Sequence, residues 1–341
     1  MLPFVDECRA SVASGMIADP IVTIGIPCYN GARWVRQAVE SALTQTLSEK
    51  EVLVINDGST DESLQILESF RGEIRLISTP NRGVNVARNS IIELARGAWI
   101  QYLDADDYLL PEKLTSQLTE LNSSKKVDVI YSPVFLEYWT PCGALPLIKS
   151  VIDCSIDVYA QWFGWQLPQT GGSLWSKDFL EKLGGWNPDR DLICDEHELY
   201  MRALQAEGSF QFVPIANAVY RIWSDQTRAH RQPISLISNK SRLIQEMRAW
   251  LLQRDRWSAS HQSIAGQACF EMCRTLARYD LSAAIRLFRH CQSLKLITLS
   301  GPAAPARYQG AYKILGFVGA ELLAKWSRRV APPASLGKWT T

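Results

Sequence analysis

The chain has 341 residues, 47% hydrophobic and 21% charged, with a formal net charge of +1 at pH 7. This composition excludes a disordered or fibrous chain, and the length allows a real core in two domains or one enlarged one. The near-neutral total hides an asymmetry: residues 1–234 carry 20 Lys/Arg against 30 Asp/Glu, and residues 235–341 carry 16 against 5. The basic back half suits either an anionic surface or ligand, or the solvated faces of a long helical tail.

Residues 1–20 read as a leader of weak structure; Asp6 and Glu7 and the lack of a long apolar run argue against a signal peptide. Ile21–Ile26 is an apolar, β-branched run between Pro20 and Pro27, the pattern of a buried strand. From Gly31 to Thr44, Trp34, Val35, Ala38, Val39, Ala42 and Leu43 recur at helical spacing. Glu51–Ile55 predicts a second strand, Asp61–Phe70 a helix, Ile74–Ile77 a third strand and Val84–Arg96 another helix. Ala98–Leu103 predicts a fourth strand, Pro111 opens a helix, and Val127–Tyr131 predicts a fifth strand. After residue 132 tryptophans mix with Gly and Pro, a pattern of an open cleft or of core. From about residue 233 the chain is helical and Arg-rich. Tyr308, Tyr312, Leu315, Leu322 and Trp326 fall on one face of a final helix, which Pro332-Pro333 ends.

Strands and helices alternating at this spacing predict an α/β domain with a mostly parallel sheet covered on both faces. Eight scattered cysteines without a C-x-x-C pair, and four histidines without zinc spacing, argue against a zinc site or a disulfide framework and for a reducing cytoplasm. No stretch of 18 residues is continuously apolar, so no transmembrane helix is expected.

The most informative stretch is Trp99 to Asp107, where an apolar strand ends in Asp104, Asp106 and Asp107. Carboxylates that close repel one another, and a hard divalent cation relieves the conflict. Two other strands end in polar groups, Cys28-Tyr29-Asn30 and Asn56-Asp57-Gly58-Ser59. Parallel sheets bind ligands beyond the carboxyl ends of their strands, so all three clusters are expected on one rim.

Four blocks, Ile24-Gly25-Ile26-Pro27-Cys28-Tyr29-Asn30, Val54-Ile55-Asn56-Asp57-Gly58-Ser59-Thr60-Asp61, Asn81-Arg82-Gly83 with Ala87-Arg88-Asn89, and Leu103-Asp104-Ala105-Asp106-Asp107, resemble the family-2 inverting glycosyltransferases of the GT-A fold. The resemblance spans residues 21–114 and continues more weakly to about 225. It implies a GT-A catalytic domain over 21–232, with a nucleotide-sugar half at 21–132 and an acceptor half at 133–232, followed by a helical, basic region at 233–341. It further implies that Pro27, Tyr29, Asn30 and Asp57 shape the nucleotide pocket, with Asp57 accepting a hydrogen bond from the base, and that Arg88 reaches the base or the diphosphate. Asp104 would hold the ribose or the metal and Asp106 the metal, a Mg²⁺ or Mn²⁺ ion, with Asp107 in support.

An inverting transferase needs a carboxylate to take the acceptor proton. The family carries it in a Glu-Asp pair, six residues before an arginine. Gly184-Gly185-Trp186-Asn187-Pro188 resembles the preceding turn, and counting back from Arg202 gives Glu196, with Asp195 before it. The pair is reversed relative to the common order; Glu196 is the expected base and Asp195 the alternative. His197 is either an acceptor contact or structural, and Gln169-Thr170-Gly171-Gly172 falls where the family has an acceptor-side loop.

The expected reaction moves a sugar from a nucleotide-diphosphate sugar to a hydroxyl of a glycan or lipid-linked glycan, in surface polysaccharide or lipid-linked glycan synthesis. Nothing calls for nucleic acid. The processive Gln-x-x-Arg-Trp motif is absent, which favours transfer of one sugar. The expected location is the cytoplasm, with peripheral contact at the inner membrane face as one use of the Tyr308–Arg329 helix and packing on the catalytic domain as the favoured one. The rivals are a nucleotidyltransferase, which would need a Gly-rich phosphate loop where Pro27-Cys28-Tyr29-Asn30 stands, and a non-catalytic sugar-nucleotide-binding protein.

Overall fold

The computed structural model describes residues 20–121, 126–223 and 231–330. The expected leader and the Pro332-Pro333 stop lie outside the described residues, apart from Pro20. Seven of the described strands form one sheet. Its first four are β1 (Val22–Cys28), β2 (Lys50–Asp57), β3 (Arg75–Thr79) and β4 (Trp99–Tyr102). Helices α1 (Val35–Leu43), α2 (Ser63–Glu68) and α3 (Val84–Leu94) connect them. Every residue of β1 is buried, because helices and neighbouring strands cover both faces.

β1 pairs in parallel with β2 on one side, Cys28 opposite Asn56, and with β4 on the other, Gly25 opposite Tyr102. Strand order therefore reverses about β1: the chain runs outward through β2 and β3, then returns to add β4 on the opposite edge. A crevice opens where connections diverge in this way. It lies between the ends of β1 and β4, next to Cys28-Tyr29-Asn30 and Asp104.

The far side of the sheet differs from the parallel expectation. After β5 (Tyr108–Leu109) and α4 (Lys113–Thr119), the strand β6 (Val129–Tyr131) does not pair with β4. The later strand β10 (Ser173–Ser176) is inserted between them, antiparallel to both. β11 (Phe210–Phe212) then completes the edge, parallel to β6. A second, smaller sheet is built from β5, β12 (Ala218–Ile222), β7 (Phe135–Thr140), β8 (Gly143–Ala144) and β9 (Ile148–Lys149).

The helices of this part of the chain are α5 (Val158–Phe163), α6 (Lys177–Lys182) and α7 (Asp195–Gln205). The C-terminal helices are α8 (Pro233–Leu252), α9 (Ala259–Leu276), α10 (Leu281–Ser293) and α11 (Ala306–Val330). They share one apolar core with α5 and α7, in which Trp162, Phe163, Met247, Phe270 and Cys273 are all buried. Among the described residues no helix is long and apolar enough to cross a membrane.

The stripe expected on the last helix does not hold as one face. Gly316 adopts φ 65° and ψ −175° inside α11 and turns the helix there. Tyr308 is buried, and Phe317 stacks on Phe288 at 4.3 Å, whereas Leu315, Leu322 and Trp326 are exposed. Helical periodicity counted across a residue outside the helical region assigns faces incorrectly.

The turn before α7 is held to α3 by amides. Asn89 accepts the Trp186 N–H at 2.7 Å and donates to the Trp186 carbonyl at 2.8 Å, and Asn85 donates to the Asn187 carbonyl at 2.8 Å. Gly185 makes this approach possible: its φ is +72°, and a Cβ there would lie 2.4 Å from Asn89 Oδ1. Gly185→Ala is expected to lower stability by about 1–3 kcal/mol from backbone strain alone, measured by urea unfolding, with Gly184→Ala milder because its Cβ meets nothing within 4 Å.

Candidate active site at the carboxylate rim

Asp57 ends β2, buried at 3% exposure. Its Oδ1 and Oδ2 accept the N–H groups of Arg82 and Gly83, each at 2.8 Å. The carboxylate therefore anchors the residues that lead into α3 to the rim, a structural task that the sequence reading did not anticipate; each oxygen keeps a second lone pair. Asn30, at φ 50°, bridges the first two loops: its N–H donates to Ser59 Oγ at 3.1 Å and its Oδ1 accepts from Thr60 N–H at 2.8 Å. Tyr29 stands at 53% exposure beside it, after the buried end of β1 that holds Pro27.

One turn and a half into α3, Arg88 points into the rim and is buried. Nη2 donates to Asp104 Oδ1 at 2.7 Å and Nη1 to Asp195 Oδ2 at 3.2 Å. Thr170 Oγ1 lies 3.4 Å from Nη2, and the guanidinium sits 4.3 Å over the Trp186 ring. Burial works against the cation, but Asp104, Asp195 and Glu196 outweigh it and hold Arg88 above its ordinary pKa. The sequence places Asp104 and Asp195 91 positions apart; Arg88 makes them one cluster.

Glu196 lies in the first turn of α7. Its Oε1 accepts the Thr170 N–H at 2.6 Å and also the Thr170 hydroxyl. Burial, reinforced by Asp104 and Asp195 and opposed by Arg88, pushes its carboxyl up to about 8. A carboxylate near neutrality is suited to accept a proton. Asp195, next to it in sequence, is paired with Arg88 instead. Arg202, the residue that set the count, does not touch either: it forms a bidentate pair with Glu198 at 2.8 and 2.9 Å.

Tyr200, one turn after Glu196, donates to the Pro168 carbonyl at 3.1 Å and shares a hydrogen bond with Ser173 Oγ at 2.6 Å, which holds the Thr170 turn against α7. The carbonyls of Gly171 and Gly172 each accept a side-chain amide at 3.0 Å, from Gln101 and Gln117. Those two glutamines are in turn joined by buried Lys113. His197 is packed among aromatics, stacked 4.1 Å from Trp162 and 3.8 Å from Trp165. Burial and nearby Lys240 push it well below its ordinary pKa, which favours the structural alternative.

On the other side of the rim, Asp106 Oδ2 accepts from Trp223 Nε1 at 2.9 Å, and Asp107 Oδ1 accepts the Arg221 N–H at 2.8 Å. Burial and Asp104 raise the Asp106 carboxyl; burial with Asp106 and Asp104 raises Asp107 well above the carboxylate range. Arg221 is buried, bonded to Glu137 Oε2 at 2.9 Å and Gln37 Oε1 at 2.8 Å, and lies 4.0 Å over Trp34. It also donates to the Asp106 carbonyl, so β12 fixes the Asp106-Asp107 turn. Sequence reasoning missed Arg221 and Trp223. One signal was available, a lone cation within the strand Ala218–Ile222.

Among the described residues, no three His, Cys, Asp or Glu side chains are arranged as a complete metal cage. The hard-oxygen donors Asp104 and Asp106, whose charges conflict, nonetheless fit an ion such as Mg²⁺, which takes one or two carboxylates and substrate phosphates for the rest. Asp107 is committed to the Arg221 backbone.

Residues 23–137 match the family described as Glycosyl transferase family 2. The same third of the chain is 39% identical over 116 residues to a chondroitin synthase and to a hyaluronan synthase of Pasteurella multocida, of which it covers 12% each. It is 36% identical over 114 residues to EpsJ of Bacillus subtilis, described as an uncharacterized glycosyltransferase, and covers 33% of it. The chain thus spans well under half the length of these relatives. By fold it is similar to S. aureus TarS 1-349 in complex with UDP-GlcNAc, with TM-score 0.59 and 16% identity over 91% of each chain. It is also similar to the mannosyltransferase PcManGT of Pyrobaculum calidifontis in complex with GDP-Man and Mn²⁺, with TM-score 0.53 and 16% identity over 96% of this chain and 92% of that one. The architecture is the GT-A type, a parallel-rich α/β core extended by C-terminal helices.

Removing the central cation is expected to be costly. Arg88→Met should lower unfolding free energy by about 3–5 kcal/mol, because it leaves clustered carboxylates without their partner; a urea titration measures this. Arg88→Lys should recover only part of it, since one ammonium cannot present two planar donor pairs.

Proposed function

We propose that this chain is an inverting, metal-dependent glycosyltransferase that moves one sugar from a nucleotide-diphosphate sugar to an acceptor hydroxyl. One observation carries the reading: Arg88 joins Asp104, on the leaving-group side, to Asp195 and the adjacent Glu196 on the acceptor side. A reaction that needs a stabilised leaving group and a nearby base has both in this cluster. The family-2 match over residues 23–137 supports the reaction class. The fold neighbours in complex with UDP-GlcNAc and with GDP-Man and Mn²⁺ support the donor class.

In this reading Pro27, Tyr29, Asn30 and Asp57 frame the nucleotide. Asp104 and Asp106 hold Mg²⁺ or Mn²⁺, which when bound supplies charge stabilisation to the departing diphosphate. Glu196 takes the proton from the acceptor hydroxyl, and that oxygen attacks the anomeric carbon from the face opposite the phosphate. The glycosidic bond breaks with its electron pair leaving on the diphosphate, so configuration inverts. Arg88 adds positive charge where negative charge grows, and Thr170 orients Glu196 so that its second oxygen faces the acceptor. Free thiols at the described cysteines suit a reducing cytoplasm. The polysaccharide synthases among the relatives suggest a glycan or lipid-linked glycan acceptor.

A nucleoside diphosphate together with Mn²⁺ is expected to raise the melting temperature, and Asp106→Ala to abolish the metal-dependent part of that rise while the protein stays folded. No stabilisation by any UDP, GDP or dTDP compound with metal would sink the proposal.

Glu196→Gln should lower turnover by roughly 10²-fold or more while leaving donor binding intact. Activity equal to wild type would favour Asp195 as base, and no turnover in the wild type itself would favour a non-catalytic binding role. The base works when ionised, so kcat/KM should rise with pH through about 8 in the free enzyme. Thr170→Val removes a hydroxyl that stabilises the ionised form, and should move that limb to higher pH.

A further inference from the structure

The reaction gives no role to the outer face of α11. Beyond the turn at Gly316, Phe317, Ala320 and Glu321 face inward: Phe317 stacks on Phe288, and Glu321 Oε1 accepts from Arg274 Nε at 2.7 Å. The opposite face carries Val318, Leu322, Leu323 and Trp326, and Ile314 and Leu315 precede them; all six are exposed, Ile314 at 83% and Trp326 at 62%. Large apolar side chains scattered singly on a surface need no explanation, but six within residues 314–326 mark an interaction surface.

Charge selects the partner. From residue 306 to 341 the sequence contains Arg307, Lys313, Lys325, Arg328, Arg329 and Lys338, and a single acid, Glu321. That acid is buried against Arg274. Among the described residues of α11, the apolar stripe is therefore flanked by exposed Lys313 and Lys325 and by no exposed acid. A second copy of this chain would bring the same positive charge into the contact.

We propose that α11 docks on an anionic lipid surface, with the apolar stripe in the headgroup and acyl boundary and Lys313 and Lys325 against lipid phosphates. The helix does not span, which fits an interfacial position. None of these side chains belongs to the carboxylate rim, so docking and transfer are separable.

Flotation of the full chain with phosphatidylcholine vesicles, with and without phosphatidylglycerol, tests this. The protein should float with the anionic vesicles, bind neutral ones roughly tenfold less, and detach in high salt. Leu322→Glu with Trp326→Glu alters two exposed positions, so the melting temperature should hold while vesicle binding falls about tenfold or more. Lys313→Glu with Lys325→Glu should remove the preference for anionic lipid. Wild-type protein left unbound by anionic vesicles overturns the proposal, as does a Leu322→Glu/Trp326→Glu variant that floats like wild type. A concentration-dependent dimer in sedimentation, lost in that same variant, would also overturn it, by making a second copy the occupant of the stripe.

Discussion

A buried guanidinium that must not be left unpaired governs this molecule. Arg88 is surrounded by protein, and its charge is tolerable only because Asp104 and Asp195 meet it and Trp186 lies under its plane. The cation and its two carboxylates come from three parts of the chain: α3, the end of β4, and the start of α7. Satisfying one cation therefore fixes three elements relative to one another. The supports around it follow from the same demand. Asp57 holds the entry to α3, the Asn89 amide holds the Trp186 turn, and Tyr200 holds the Thr170 loop against α7.

The carboxylates of the rim are divided by their partners. Asp107 lies inward on the Arg221 backbone and Asp195 on Arg88, while Glu196 rests on neutral donors from Thr170. Burial and the neighbouring charges of Asp104 and Asp195 raise the affinity of Glu196 for a proton, against the opposing pull of Arg88 and of the Thr170 donors. Neighbouring acids of similar intrinsic strength acquire different chemistry from what they touch. The reversed Asp195-Glu196 order is accommodated in this way: the longer glutamate side chain reaches Thr170, and the shorter aspartate reaches Arg88.

The first four strands and their helices could be read from the sequence, because buried parallel strands are continuous apolar runs and helices keep a 3.6-residue period. The polar strand ends could be read for the same reason, since runs such as Ile24–Cys28 stop abruptly at Tyr29-Asn30. The insertion of β10 could not, because Ser173-Leu174-Trp175-Ser176 is only four residues long and its pairing partners lie far away in sequence. Arg221 was hard to read because its one signal, a lone cation in a strand, gains a meaning only once its stacking partner Trp34 and acceptor Glu137 are known. Asp57 was legible as a rim residue but not as the anchor of α3, since the N–H groups it accepts belong to backbone. The face of α11 was misassigned because one glycine outside the helical region shifts every later position.

The place of β10 has a consequence for how the chain comes into being. The stretch shared with relatives, residues 23–137, ends before Ser173–Ser176 exists, and without that strand β4 exposes an open edge and β6 has no link to the sheet. During synthesis the growing chain must therefore hold an unpaired, apolar strand edge until some forty further residues have emerged. That interval is when the nascent protein is most open to wrong pairing, and a chaperone that shields strand edges would matter most there. The third of the chain that matches relatives is thus completed as a sheet only by a strand that lies outside it.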